Sequence, residues 1–547
     1  MQAHVVDAGP LVRGLCDQLE LVAIIDRAVA WDAPHSKLSP GERILALILG
    51  MFMRQRPLYR VHESFRRTDV ELLLGKGVTI DDLNDDGFAR ALDKLHHAGP
   101  AGVFGALCAR ASLLEDVRHD FLHWDSTTRS LFGDYVTDDE NPLIALGHSK
   151  DHRPDLKQIV LALLANREGM PLWGSVEKGN ASDKKLNGEI LHQIAAAFSP
   201  QRLVSMTYVA DSAFVTKDNL ARANAVGLGF LSRLPETFSA CTEAKRAAFD
   251  LDAFEDVGKV ARRAQASAYR ASEQRATIDD VEYRLVVYHS SSLEKRKEKA
   301  FQKELEAEAE RLKSDAAAIF RQPFICRDDA EAKARAWLKI NADAFHSVSY
   351  TILEKKVPDK RGPGRPKKGV EPSWHVNYHT VGVVGDPKPD VVERERQRRS
   401  AFVLITTIGP DKASPRTLLE EYKQQGTIER RFAFMKDREI VDSFFLKKPE
   451  RVEALGYVLL MVVLLFSILE RRVRRAGRPL PTLSRGELKN PTGLEILRNV
   501  SVSVIEMDDA TRCLSVHTGF DHLFAAILDM ARVSQTVYTT VPLRSTA

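Results

Sequence analysis

Two aspartates stand where their side chains could hold a metal ion together. Asp125 follows the apolar run 121–124, and Asp211 follows the apolar run 204–210. We predict both runs to be buried strands, and functional residues of open α/β sheets gather at the carboxyl ends of strands. Two neighbouring carboxylates repel each other unless a cation lies between them, and Mg²⁺ prefers carboxylate and water ligands. The pair is therefore a candidate magnesium site, although an aspartate at a strand end also commonly caps a turn.

A third acidic residue, Glu429, lies in a segment that has two distinct faces if residues 422–436 form a helix. One face would pack on a sheet, because apolar residues recur there at intervals of three or four: Ile428, Phe432 and Met435. On another face, Tyr422, Glu429 and Lys436 are spaced by seven residues. Glu429 could complete a metal site while Tyr422 and Lys436 hold a phosphate. An ordinary amphipathic surface helix would show the same spacing.

Taken in order, these motifs resemble the acidic motifs of bacterial insertion-sequence DDE transposases. Asp125 lies in the sequence His-Trp-Asp-Ser-Thr, and Asp211 lies in Val-Ala-Asp-Ser-Ala. The segment 422–436 resembles the Tyr-Arg-Glu-Lys signature of that family, but Gln425 stands where many relatives have Arg. A bidentate phosphate contact is therefore not carried over to Gln425.

Two further segments strengthen the resemblance. Residues 147–158, Gly-His-Ser-Lys-Asp-His-Arg-Pro-Asp-Leu-Lys-Gln, resemble the loop that leads into the second strand in this family. Residues 179–183, Gly-Asn-Ala-Ser-Asp, resemble the segment after the third strand. The strong resemblance covers 118–235 and 400–470, about a third of the chain.

The resemblance implies an α/β RNase H-like catalytic domain, a mixed sheet flanked by helices. A mixed α+β insertion interrupts this domain, and an N-terminal all-α module precedes it. The resemblance also implies that Asp125, Asp211 and Glu429 hold two Mg²⁺ ions, for which Mn²⁺ would substitute. An enzyme of this family cuts the DNA at the terminal inverted repeats of its element and joins the freed 3′-OH to target DNA. Synapsis of two ends implies a homodimer.

Two other functions are compatible with the same motifs. The chain could be a catalytically inactive, transposase-derived DNA-binding protein that keeps the fold alone. It could also be an RNase H-like nuclease that cuts DNA without joining it.

Changes of pattern divide the chain into five segments: 1–115, 116–238, 239–398, 399–480 and 481–547. The first segment is predicted to be helical and, by analogy with the family, to bind the DNA ends. The second and fourth would form the catalytic domain, and the third is the insertion. The insertion accounts for the long gap between Asp211 and Glu429 (429 − 211 = 218). The last segment is expected to be helical, with a role in dimerisation or DNA contact.

Within the insertion, residues 293–320 predict one long, highly charged helix with a single apolar stripe. The stripe consists of Phe301, Leu305, Ala309, Leu312, Ala316 and Ile319. A solvated helix with one buried edge and a dimerisation arm would both show this stripe.

Basic residues predict where DNA is held. Residues 355–368 contain seven Lys or Arg among fourteen residues, with repeated Pro and Gly. This composition is typical of an extended segment, which is either a non-specific basic linker or an AT-hook-like contact in a narrow minor groove. The predicted DNA-binding residues are Lys150, Arg153, Arg361, Arg365, Lys367 and Lys368. The basic run 471–478 is interpreted as a further phosphate contact, although it could instead only solubilise the end of the apolar element before it.

The composition is that of a globular protein: 44% of residues are apolar and 28% are charged, which excludes collagen-like or wholly disordered chains. The five cysteines lie far apart and form no CxxC pair, so a reducing cytoplasm is expected, with nucleoid association when DNA is bound. The apolar run 454–469 has 16 residues, fewer than the roughly 20 that span a bilayer. It is predicted to be a helix buried in a large core, and no membrane partner is expected.

Overall fold

The structure is a computed structural model. It describes residues 2–53, 58–133, 135, 142–150, 153–260, 266–359, 371, 373–426, 432, 446–482, 486–507, 511–516 and 521–544. The chain divides into two compact units. The first unit combines Met1–Ser232 with Leu418–Ala547, and the second unit is Arg233–Thr417.

The α-helices of the described residues are, in chain order, α1 (Gly9–Gln18), α2 (Leu21–Ala28), α3 (Pro40–Met53), α4 (Val70–Leu74), α5 (Asp85–His97), α6 (Pro100–Leu114), α7 (Asp183–Ala197), α8 (Pro200–Leu203), α9 (Lys217–Ala225), α10 (Ser239–Asp250), α11 (Ser291–Ile319), α12 (Arg327–Ile340), α13 (Pro389–Ser400), α14 (Pro415–Gln424), α15 (Pro449–Arg475), α16 (Gly493–Arg498) and α17 (Asp521–Ala531). Short 3₁₀ helices lie at Ala33–His35, Leu58–Phe65, Ile80–Asp82, Ser212–Phe214 and Gln535–Tyr538.

The strands are β1 (Gln2–Val5), β2 (Phe121–Ser130), β3 (Gln158–Asn166), β4 (Pro171–Lys178), β5 (Thr207–Ala210), β6 (Gly229–Arg233), β7 (Glu255–Lys259), β8 (Ala268–Ile278), β9 (Val281–Ser290), β10 (His346–Pro358), β11 (Trp374–Pro387), β12 (Ala401–Thr406), β13 (Leu480–Thr482), β14 (Gly486–Leu488), β15 (Val502–Glu506) and β16 (Arg512–Val516).

The central sheet of the first unit is mixed. Its strands lie in the order β4-β3-β2-β5-β6; β3 is antiparallel to β2 and β4, while β5 is parallel to β2 and β6. Every residue of β3 is buried, as expected of a strand covered on both faces. The mixed sheet flanked by helices that the sequence predicts is confirmed. One detail differs: β2 continues to Ser130, so Asp125 lies inside its strand and not at the end of it.

Helix α15 forms the centre of the first unit's core. It is long and apolar enough to cross a membrane by length and composition, but 94% of its most apolar window is buried inside the protein. The prediction that 454–469 is a buried helix is therefore confirmed. The helix packs closely on β4, because a Cβ at Gly456 would lie only 2.8 Å from Val176. Gly456 thus permits close contact between the helix and the sheet.

The basic run at the end of α15 is buried at its first two residues, whereas Arg475 and Arg478 are exposed. Arg471 is 5% exposed and pairs with Glu168 at 2.6 Å, and Arg472 is 4% exposed and pairs with Glu115 at 2.7 Å. Arg475 also pairs with Glu168, at 2.8 Å. The interpretation of this run as a phosphate contact is therefore wrong for Arg471 and Arg472. Their guanidinium groups are needed inside the protein, because a buried carboxylate or guanidinium without a partner is strongly destabilising.

The two ends of the chain meet in a small sheet that the sequence does not predict. Strand β1 pairs with β15, and β15 pairs with β16, both antiparallel. Strand β1 therefore contradicts an all-α module in residues 1–115, and the strands near the C-terminus contradict a helical 481–547. The pairing of β1 is long-range, since β1 and β15 lie about 500 residues apart, whereas β15 and β16 are neighbours in the chain. Helices from both ends share one hydrophobic core with α15.

The second unit contains a sheet in the order β12-β9-β8-β7 and a separate two-stranded ribbon, β10-β11. Helix α11 corresponds to the predicted charged helix, and four of the six residues of its apolar stripe are buried, whereas Ala309 is half-buried and Ile319 is exposed. Phe301 and Leu305 pack with Val392 of α13, and Ala316 packs with Trp337 of α12. These contacts agree with a solvated helix that has one buried edge.

We predict that Glu115→Ala strongly destabilises the first unit. Glu115 accepts from both Arg471 and Arg472, and all three side chains are at most 3% exposed. Removing a buried partner that compensates two positive charges should cost about 3–5 kcal/mol. Urea unfolding followed by circular dichroism measures the loss. As a control, Arg27→Ala breaks the exposed pair with Glu20 and an exposed hydrogen bond to Ala23 O, and it should leave the midpoint nearly unchanged. Equal midpoints for the two variants would contradict the prediction.

Candidate active site

The parallel pairing of β2 with β5 brings Asp125 and Asp211 to the same place. Phe121 pairs with Thr207 and His123 pairs with Val209, an offset of 86 residues. Asp125 and Asp211 differ by the same 86 residues (211 − 125 = 86). Extended by two residues, the register therefore sets the two aspartates opposite each other. Strand β5 ends at Ala210, and its pairing with β2 ends at His123. On this edge of β2, Asp125 therefore lies beyond the paired residues, while on the other edge it pairs with Leu163 of β3.

The carboxyl of Asp211 is held by local hydrogen bonds in a partly buried position. Its Oδ1 accepts from the amide of Ala213 at 3.0 Å, and its backbone carbonyl accepts from the hydroxyl of Ser232 at 2.7 Å. Burial raises the pKa of Asp211, and the negative charge of Asp183 raises it further, whereas the Ala213 amide and the Lys150 ammonium oppose both effects. A bound cation would relieve these penalties.

Asp183, at the first position of α7, is a third carboxylate near the pair. Its Oδ1 accepts from the hydroxyl of Ser126 at 2.7 Å, and Ser126 directly follows Asp125. Sequence reasoning did not single out Asp183 as a site residue, although it ends the segment 179–183 that resembles the transposase family. Its position in that segment was the available signal.

The ammonium of Lys150 lies among these carboxylates. Its Nζ is 3.9 Å from Oδ1 of Asp125 and 3.7 Å from Oδ2 of Asp183. The same Nζ donates to the carbonyl of Ser126 at 2.7 Å and to its hydroxyl at 3.0 Å. Lys150 is therefore bound to the candidate site itself.

A buried hydrogen bond fixes α7 to β5. The hydroxyl of Tyr208 donates to Oδ1 of Asn187 at 2.7 Å, and Nδ2 of Asn187 donates to the carbonyl of Asp183 at 2.7 Å. Burial, together with the charges of the three aspartates, raises the pKa of Tyr208 well above its ordinary value. The phenol therefore remains protonated and can keep donating. This chain of contacts sets the start of α7 relative to Asp211.

Two glycines explain part of the 147–158 and 179–183 motifs. A Cβ at Gly147 would lie 2.1 Å from the carbonyl oxygen of Gly179, and a Cβ at Gly179 would lie 2.0 Å from that of Gln158. Gln158 also donates through Nε2 to Gly179 O at 2.7 Å and to His148 O at 3.3 Å. The loop that carries Lys150 is thus pressed against the end of β4, where no larger residue fits.

Helix α14 approaches the same edge of the sheet. Nε2 of Gln425, just after α14, lies 3.5 Å from the carbonyl oxygen of Trp124, and Tyr422 lies in the last turn of the helix. Glu421 in α14 is buried and pairs with Arg167 at 2.5 Å. Burial raises the pKa of Glu421, and Arg167 opposes this effect. Phe432 is buried in the core of the first unit, in agreement with the predicted packing face.

Of the remaining predicted site residues, the structure describes only Arg153 and Tyr422. Glu429, Lys436, Arg361, Arg365, Lys367 and Lys368 lie outside the described residues. Arg153 is exposed and forms a two-point pair with Asp155, at 2.8 and 2.6 Å. Tyr422 is half-buried, and its predicted contact with phosphate stays a prediction.

Comparison with family models gives the family of the chain. The model described as "Transposase DDE domain" matches residues 125–465, more than half of the chain. The chain belongs to this transposase family. A second model, "Domain of unknown function (DUF4277)", matches residues 1–109 of the transposase. No curated protein shows a significant match. Family membership supports a transposase function with DNA as the substrate.

The donor set of this transposase fits a divalent metal, and the family generally uses such ions. Asp125 and Asp211 supply oxygen ligands of the kind that Mg²⁺ prefers. Among the residues that the structure describes, no group of three or more possible ligands is close enough to hold a metal. A complete site would thus need a ligand from elsewhere, and Glu429 is the predicted one.

We predict that His123→Phe weakens the dependence of stability on acid pH. His123 is 1% exposed, and neither ring nitrogen has a partner among the described residues. Burial lowers the pKa of His123 to about 4, and Arg167 contributes. The unfolded chain therefore binds a proton that the folded chain excludes, so stability falls as the pH drops from about 6.5 to 4, by at most roughly 3 kcal/mol.

The measurement is the urea midpoint of the wild type and the variant at intervals between pH 7 and pH 4. The Phe variant should lose less stability over this range than the wild type. His35→Phe is the control, because His35 is exposed. A pH dependence identical in the wild type and His123→Phe would contradict the assignment.

Proposed function

We propose that the protein is a cut-and-paste DNA transposase that cleaves the ends of an insertion sequence and joins the freed 3′-OH to target DNA. The observation that carries the proposal is the β2–β5 register, which aligns Asp125 with Asp211. Family membership supplies the class of reaction, and the register supports these two residues as its metal ligands. The strand order and directions of the central sheet also support an RNase H-like fold for the catalytic domain.

We assign Asp125, Asp211 and Glu429 as the ligands of two Mg²⁺ ions. Glu429 follows Gln425 by four residues, a length of chain that spans at most about 14 Å. Because Gln425 lies beside Trp124, this short connection supports Glu429 as the third carboxylate. When bound, the metals would activate the attacking water or 3′-OH and neutralise charge at the leaving oxygen.

The residues of this chain contribute positioning and charge. The carboxylates of Asp125 and Asp211 set where the reacting phosphate is held, since in-line attack at phosphorus needs alignment more than a protein nucleophile. Tyr422 and Lys436 remain the proposed contacts to the scissile phosphate, and Arg153 remains the proposed contact to the flanking DNA. The need to pair two ends supports a homodimer at the synaptic stage, and we propose that it acts on nucleoid DNA in the bacterial cytoplasm.

We predict that Asp125→Asn, Asp211→Asn and Glu429→Gln each abolish both strand cleavage and strand joining. Loss of a metal ligand should reduce the rate by at least about 1000-fold, equivalent to about 4 kcal/mol of transition-state stabilisation. DNA binding, measured by gel shift, should survive in all three variants. The assay uses a duplex from the end of the element, Mg²⁺ and a target plasmid. Asp155→Asn is the matched control, because Asp155 is an exposed aspartate whose carboxylate pairs with Arg153.

The outcomes of this assay separate the alternatives. Cleavage without joined product would identify a nuclease, and binding without cleavage by the wild type would identify an inactive DNA-binding descendant. Undiminished activity in any one variant would remove that residue from the set of ligands.

We also predict that the segment 360–368 contributes to DNA affinity through its five basic residues. The segment is joined to a ribbon whose ends are paired, since the amide of Asp359 donates to Ser373 O at 2.9 Å. Replacing the five Lys and Arg residues by Gln should weaken DNA binding and reduce the slope of log K against log[salt] by up to about 4. Fluorescence anisotropy at several salt concentrations measures this slope, and an unchanged slope would contradict the prediction.

A further inference from the structure

The loop that carries Lys150 is held in place independently of its ammonium group. The backbone amide of Lys150 donates to the hydroxyl of Thr128 at 3.0 Å, which ties the loop to β2. Upstream, Gly147 contacts Gly179 too closely for any larger side chain. The start of the Lys150 side chain is therefore fixed by the backbone.

The ammonium faces negative charge and carbonyl oxygen. Two of its three hydrogens are used by the carbonyl and the hydroxyl of Ser126. Carboxylate oxygens of Asp125 and Asp183 lie within 3.9 Å, close enough for a direct charge interaction. The Lys150 side chain is 35% exposed and that of Asp125 is 20% exposed, so solvent screens the interaction only in part. The site therefore already contains one positive charge, the ammonium group of Lys150.

A divalent ion at Asp125 would meet this charge. The ion would gain from the carboxylates, but the ammonium beside Asp125 would repel it and would compete for the same oxygen. An anionic DNA phosphate would in turn have to approach an ammonium that two carboxylates already surround. Lys150 is therefore better placed to control the binding of a cation than to bind a phosphate by itself.

We propose that Lys150 balances the charge of Asp125 and Asp183 before the metal binds, and that it thereby weakens metal binding in the absence of DNA. This inference rests on the proposed function, because it takes Asp125 and Asp211 as metal ligands. Lys150 acts here on the metal site, and Ser126 and Asp183 hold its ammonium in position. Without DNA, the protein would therefore need a higher metal concentration to fill the site than it would need if Lys150 carried no charge.

The experiment measures Mn²⁺ binding to the full chain without DNA, by the electron paramagnetic resonance signal of free Mn²⁺. Lys150→Met removes the charge and keeps the length of the side chain. We expect the dissociation constant for Mn²⁺ to fall on the order of tenfold. The variant removes a positive charge that lies about 4 Å from the carboxylate of Asp125, at a site that solvent screens only in part. Lys157→Met is the matched control: Lys157 donates to Tyr135 O at 2.7 Å, and its variant should bind Mn²⁺ like the wild type.

A double variant, Asp125→Asn with Asp211→Asn, identifies the binding that belongs to this site. If it lowers Mn²⁺ binding but Lys150→Met binds no more tightly than the wild type, the role of Lys150 is wrong and the metal site stands. If the double variant binds like the wild type, the proposed metal site fails, and the role of Lys150 fails with it. Thermal melting checks folding. Should the Met variant unfold, Lys150→Gln keeps a hydrogen-bond donor for Ser126 and gives the same test.

Discussion

The candidate site depends on one constraint, the parallel register between β2 and β5. A shift of this register by one residue would turn the side chains of one strand to the other face of the sheet and separate the two aspartates. The register is specified by burial, because the paired residues Leu122 and Tyr208 are both inaccessible to solvent. The apolar packing of the sheet thus determines where the carboxylates lie. Tyr208 links the two roles, since it packs in the core and also holds α7 through Asn187.

The large core of the first unit explains why distant parts of the chain behave as one body. Residues from the N-terminal segment, from α15 and from the C-terminal helices contribute to the same cluster. The pairs of Arg472 with Glu115 and of Arg512 with Asp69 join segments more than 350 residues apart. A DNA-end-binding role for residues 1–115 would therefore be carried out by a surface of this unit. Both family models include residues of this core, although the transposase model also covers the second unit.

Local patterns predicted much of the fold, and long-range contacts account for the rest. Sequence reasoning identified the elements whose pattern lies within one short segment. These are the apolar runs of β3 and β12, the regularly spaced stripe of α11 and the apolar run of α15. Strand β1 is paired with a partner at the other end of the chain, which no local pattern reveals. The burial of Arg471 has the same origin, because its acceptors Glu115 and Glu168 belong to other segments. At the site, residue type and position identified Asp125 and Asp211, whereas the contact of Lys150 with Asp183 required the folded loop.

The separation between core and site also explains how the protein can hold like charges together. The partly buried Asp211 and the buried Glu421 both oppose folding, because burial raises the pKa of each carboxyl and so disfavours its charged form in the folded protein. Fully burying one Leu, Val, Ile, Met or Phe side chain contributes about 1.5–3 kcal/mol, and α15 alone buries more than a dozen side chains of these types. The core can therefore sustain a strained distribution of charge at the edge of its sheet. Lys150 offsets negative charge at the carboxylates of the site, and Arg167 offsets the charge of Glu421 in α14. The two cations thus stabilise a group of carboxylates whose negative charge the proposed metal site requires.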